Sequence, residues 1–250
     1  MSLRFDQKIS LKRMVVALYS VFWIIIALIF IVSIARMFPL EGDISDIVYA
    51  MGKIAGIFGL ILLAFVITSK CFSNPFNRIF DPVRLYRAIL ILEVIALTMI
   101  FLHPIMLVLG NWLADVMEPF LILIPNLSTR FHIYVAHGCV AFLMLFVSGI
   151  VLMNRNSVRL NRHWKYIHVL IYPAFLLSLM HAHAIGSDAS EPLVAYSLNL
   201  LYYAVAVAIT YRLIELLLNA RKRQLRMYRE GRTPRKQAMD KAKKDSSVKK

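Results

Sequence analysis

The sequence predicts an all-α polytopic membrane protein with six transmembrane helices, and three observations carry that prediction. Of its residues 60% are hydrophobic and only 17% charged, where a soluble domain carries about 25% charge; the mean hydropathy is +0.67. Six apolar segments, about 14–37, 48–69, 88–110, 132–153, 165–186 and 193–219, each approach the ~20 residues that a helix needs to cross a ~30 Å hydrocarbon core. The connections between them alternate between basic and nearly free of Lys and Arg. Helices follow because lipid offers the backbone no hydrogen-bond partners.

In chain order, residues 1–13, "MSLRFDQKISLKR", form a basic cytoplasmic segment ahead of the six-helix domain at 14–219. The first span exceeds a signal-peptide core and lacks a small-residue cleavage site, so it is expected to remain as an anchor. The connection after the second span, "SKCFSNPFNRIFDPVRLYR", is basic, as is "NRNSVRLNRHWK" after the fourth. The alternate loops "PLEGDISD" and "IGSDASEP" have no Lys or Arg, and the connection 104–130 has only Arg130. This pattern puts both termini in the cytoplasm, with a bacterial inner membrane as the expected location. The stretch "GNWLADVMEPFLILIPNLSTR" is the largest outer feature and is expected to serve as a docking surface. The basic tail, 220–250, is expected to be disordered; coming directly after a span, it fits anionic lipid or the insertion rule better than nucleic acid. Cys71 and Cys139 stand apart with no CxxC or CxxCH, which argues against thiol redox chemistry, cysteine-bound zinc and covalent c-type heme.

Orientation turns positions into depths. At 1.5 Å per residue, His103 lies about 22 Å along the outward-running third span and His181 about 24 Å along the outward-running fifth. Both fall in the outer third. His168 lies only about 5 Å into the fifth span, on the cytoplasmic side. Two levels of imidazole suit b-type hemes stacked across a membrane, each iron taking one nitrogen from each of two facing helices. The 13 residues between His168 and His181 put them about 140° apart on an ideal helix, and a kink at Pro173 offers a way to re-aim one of them.

Other ionisable groups have competing readings. His132, His163 and His183 lie near span ends, where an interfacial role suffices. His137, about 7 Å into the fourth span, is a candidate to replace His103, to meet a propionate or to face the outer loop. Lys53 either pairs with outer propionates or snorkels to the interface. Glu93 is deeper, with no partner evident in sequence; it is read as a protonated packing group, against a proton or quinone contact.

The segments "MGKIAGIFGLILLAFVITSK", "IFLHPIMLVLG", "HGCVAFLMLFVSG" and "HWKYIHVLIYPAFLLSLMH" resemble the ferric reductase-like transmembrane domain of NADPH oxidases and ferric reductases. They look closest to the heme-binding membrane subunit of the bacterial periplasmic methionine sulfoxide reductase system. The most specific part stands here as Trp164, His168, Tyr172 and His181, and the likeness covers about 48–185. The resemblance implies a six-helix heme-binding bundle whose outer heme b lies between His103 and His181, with His168 in the inner ligand position. It departs from the oxidases at Ile89, where they carry the inner partner histidine. The bacterial subunit has an arginine in that region, and Arg84 or Arg87 is expected to pair with propionates, since arginine stays protonated and is a poor iron ligand.

No GxGxxG follows a strand pattern, and the roughly 30 residues after the last span are too few for flavin and nicotinamide domains. The electrons are therefore expected from a membrane quinol or a separate cytoplasmic flavoprotein, for an extracytoplasmic redox protein or ferric chelate. Heme b is the expected cofactor, with FMN or a quinone as further candidates. Two other classes stay open: a transition-metal transporter or sensor using His103, His137, His181, His183 and methionines, and a non-catalytic membrane scaffold.

Overall fold

Apolar side chains on 3.5- and 3.6-residue periods become the packed seams of a helical protein. The computed structural model describes residues 3–37, 42–116, 118–125, 127–154, 167, 169–185 and 192–229. Its elements are α1 (Leu3–Met37), α2 (Ile44–Cys71), the short α3 (Ser73–Phe76), α4 (Pro82–Leu113), a 3₁₀ turn η1 (Pro119–Leu123), α5 (Arg130–Met153), α6 (Ile171–Ile185) and α7 (Pro192–Arg229). No strand occurs among the described residues. Among the described residues, five helices are long and apolar enough to cross a membrane: Val16–Arg36, Ile44–Cys71, Pro82–Leu113, Arg130–Met153 and Pro192–Leu225. The chain divides into two units, Met1–Ala208 and Ile209–Lys250.

The fifth expected span, 165–186, is described in part, at Ile167 and from Val169 to Ile185. Regular helix begins at Ile171 and ends at Ile185, about 22 Å at 1.5 Å per residue. Pro173 is the third residue of that stretch, and just before it the Leu170 amide donates to the Ile167 carbonyl and the Tyr172 amide to the Val169 carbonyl. Trp164 and His168 lie outside the described residues.

On α1, Tyr19, Trp23, Ile26, Phe30 and Ser33 recur at alternating steps of four and three, the spacing of an antiparallel coiled-coil seam. Phe58, Phe65 and Phe72 recur every seven residues across the interface. Phe30 stacks on Phe58 at 5.7 Å between ring centres, Trp23 meets Phe65 at 5.1 Å and Tyr19 meets Phe72 at 6.1 Å. The Tyr19 hydroxyl is satisfied by Thr68 Oγ1 at 2.9 Å and Ser69 Oγ at 2.7 Å.

Glycine sets the next interface. A Cβ at Gly52 would meet Met106 Cβ at 3.0 Å, one at Gly59 would meet Ile100 Cγ1 at 2.7 Å, and one at Gly110 would meet the Tyr49 backbone at 2.9 Å. The Gly52-x3-Gly56 spacing thus lets α2 and α4 approach closely, as small residues do between membrane helices. Asp81 starts α4 by accepting from the amides of Val83 and Arg84 at 2.8 and 2.9 Å, with Pro82 at the first helical position. The same antiparallel register carries Lys70 to the level of Ile89. Its Nζ reaches one turn along α4 and donates to both Glu93 oxygens at 2.7 and 2.8 Å. Glu93, only 2% exposed, is ion-paired with Lys70, which corrects the expectation of a protonated packing group. Lysine at a helix end reads as interfacial in sequence, and only the α2–α4 register turns it inward.

The strongest packing falls within two pairs, α2 with α4 and α5 with α6, and contacts between the pairs are sparse. Phe101 of α4 bridges them, lying 4.8 Å from Phe142 and 5.4 Å from Phe146 of α5.

Replacing Lys70 by Met, which leaves the Glu93 carboxylate without this ammonium, is expected to destabilise the detergent-purified protein by up to about 3–5 kcal/mol. Glu93→Gln should cost less, because the freed lysine can turn to the interface. Paired thermal denaturation curves check the order; equal midpoints would show that the ion pair adds nothing.

Candidate functional site

His103 and His181 come from different helix pairs and meet between them. Each is fixed by the partner helix within its own pair. His103 Nδ1 lies 2.8 Å from the Gly52 carbonyl oxygen on α2, and His181 Nδ1 lies 2.9 Å from the Tyr134 carbonyl oxygen on α5. A carbonyl only accepts, so each Nδ1 carries the proton and donates it. That assigns the tautomer from the network and leaves each Nε2 with a free lone pair.

Glycine makes both contacts possible. A Cβ at Gly56 would fall 2.7 Å from His103 Nδ1, and one at Gly138 would fall 2.5 Å from His181 Nδ1. Pro104, directly after His103, supplies no N–H to the Ile100 carbonyl, so α4 is locally freed from its ladder beside the imidazole.

The two ring centres are 6.3 Å apart and their planes are 81° from parallel. Two imidazoles on opposite sides of one metal, with metal–nitrogen bonds of about 2.0–2.1 Å, hold their ring centres roughly 6 Å apart. Spacing, tautomer and carbonyl support therefore fit a metal bound by one imidazole from each pair, the carbonyls acting as outer-shell partners. Phe101 lies two residues before His103 on α4, and Phe142 and Phe146 lie one and two turns past Gly138 on α5, apolar material of the kind a porphyrin needs.

The remaining sequence candidates are dispersed. His137 is half-buried beside Gly138; its Nδ1 is buried without a hydrogen-bond partner and its ring lies 5.6 Å from Tyr134. Lys53, next to Gly52, places its ammonium 5.3 Å over the Tyr49 ring. Arg84 and Arg87 are exposed on the first turns of α4, and His183 is exposed on α6. His132 pairs locally with Thr129 Oγ1 at 2.7 Å. His163 and His168 lie outside the described residues. Among the described residues no three His, Cys, Asp or Glu side chains come together in a metal-binding group. Missed in sequence were the supporting atoms: the Gly52 and Tyr134 carbonyls and the glycines at 56 and 138. The run "MGKIAGIFG" held a signal for the first set in its small-xxx-small spacing.

Gly138→Ala is expected to displace the His181 ring and to destabilise the protein by about 1–3 kcal/mol, the range for overpacking. Gly149→Ala, whose Cβ would meet only Leu97 Cδ1 at 3.2 Å, should cost clearly less in the same thermal assay. No family model, no curated protein and no solved structure matches the chain, whose site chemistry is carried by the side chains just described.

Proposed function

We propose that this chain is a membrane b-type cytochrome of the ferric reductase-like kind, with one heme b held between His103 and His181. The observation that carries the reading is the pair of carbonyl-supported imidazoles, 6.3 Å apart and contributed by two separate helix pairs. When bound, heme supplies a one-electron couple. The chain's own residues do the rest. His103 and His181 present Nε2 lone pairs, the Gly52 and Tyr134 carbonyls keep the protons on Nδ1, and the phenylalanines keep water from the apolar faces. Lys53, adjacent to the supporting Gly52, is the nearest sequence candidate for a propionate; Arg87, exposed about 24 Å further along α4, serves a group at the cytoplasmic end. A quinol or cytoplasmic flavoprotein donates electrons and an extracytoplasmic acceptor receives them. The termini lie in the cytoplasm of a bacterial cell.

A single heme is favoured by the α2–α4 interface. Ile89, in the position of the inner ligand, is 7% exposed, and Lys70 at that level is bound to Glu93. The transporter reading is weaker, because His103, His137, His181 and His183 do not form a metal-binding group of three or more.

Two measurements test the proposal. The reduced visible spectrum of the purified protein should carry b-type bands, lost in His103→Ala and in His181→Ala and retained in His137→Ala; full heme occupancy in both ligand variants would sink the assignment. Heme counting with carbon monoxide difference spectra should give one tightly held, carbon monoxide-insensitive heme per chain. Two such hemes would expose an inner ligand opposite His168.

A further inference from the structure

The connection between α4 and α5 raises a problem of depth. Large apolar side chains at the end of α4 and along the connection are uncovered: Trp112 is 64% exposed, Phe120 67%, Ile124 58% and Leu127 73%. No Lys or Arg occurs between residues 104 and 129. An uncovered apolar patch of this kind marks an interaction surface, and here a hydrogen bond fixes its level.

Cys139 Sγ donates to the Leu123 carbonyl oxygen at 3.5 Å. Cys139 is nine residues past the start of α5 at Arg130, or about 13 Å along the helix axis. The chain therefore leaves α4 and takes left-handed backbone at Asp115 and Glu118. It then returns alongside α4 and α5 instead of projecting beyond them, and η1 packs against both helices. Counting from Met153 at the other end of α5, the level of Cys139 is about 21 Å along the helix, roughly 9 Å inside a ~30 Å core. Interfacial apolar segments sit at depths of about 5–10 Å. It is also the level of Gly138, and so of the His181 ring. Part of its backbone is paired at that depth. The Leu121 amide donates to the Glu118 carbonyl at 3.0 Å and the Ile124 amide to the Leu121 carbonyl at 3.1 Å, so the turn satisfies part of its own demand.

We infer that η1 and its flanks form a wedge immersed in the membrane, whose partner is the acyl-chain boundary of the outer leaflet. The wedge is seated across α4 and α5 beside the His103/His181 level. It is not a water-exposed platform for a soluble redox protein, as the sequence alone led us to expect. The inference stands on the Cys139–Leu123 contact and on apolar exposure, and does not require heme.

The test uses the full chain in phosphatidylcholine vesicles. With Trp23, Trp112 and Trp164 changed to Phe and Phe120→Trp as the one indole, emission should be quenched by lipids brominated on acyl carbons near the headgroup. Iodide in the water should leave it unquenched. Quenching by iodide with no effect of brominated lipid would overturn the wedge. If that variant does not fold, the unsubstituted chain serves. A carbene reagent dissolved in the acyl phase should label the peptide spanning 119–124 and water-borne hydroxyl radical should spare it, and the reverse pattern would reject the proposal.

Discussion

A carbonyl inside an α-helix is ordinarily committed to the amide four residues on, and a neighbouring helix rarely comes close enough to share it. Gly52 and Tyr134 are exceptions, each accepting an imidazole N–H across a helix pair. Both depend on a missing Cβ, at Gly56 and at Gly138. In lipid this arrangement has particular force, since an imidazole N–H without an acceptor in hydrocarbon costs several kcal/mol. The same two bonds settle where each proton sits, and therefore which nitrogen is free to bind. Packing, polar satisfaction and ligand chemistry are joined at one point in each helix pair.

The division into two pairs follows from residue size. Along α2, Gly52, Gly56 and Gly59 face Met106, His103 and Ala96 of α4, and the backbones close on each other. Between the pairs, Phe101 of α4 meets Phe142 and Phe146 of α5, and His103 faces His181.

Much of this was legible in the sequence, for identifiable reasons. Five spans were found because hydropathy reports the membrane. It does not report where the helix ends: α1 starts at Leu3 and α7 runs to Arg229, past the apolar stretches. His103 and His181 could be paired from sequence because depth is nearly linear in residue number once orientation is known. The Lys70–Glu93 pair was not legible, since the residues are 23 apart and a terminal lysine looks solvated. Nor was the return of residues 119–123 along α5, because hydropathy reads only composition and a hydrogen bond to Cys139 sets the level.

The Lys70–Glu93 pair also has a history within each molecule's synthesis. α2 leaves the ribosome before α4, so the lysine arrives in the membrane first and can wait with its ammonium at the headgroups. When α4 follows, a carboxylate near mid-helix enters against an insertion penalty of a few kcal/mol. The waiting lysine offsets it by turning inward. Having α2 in place thus lowers the cost of carrying Glu93 into the membrane with α4.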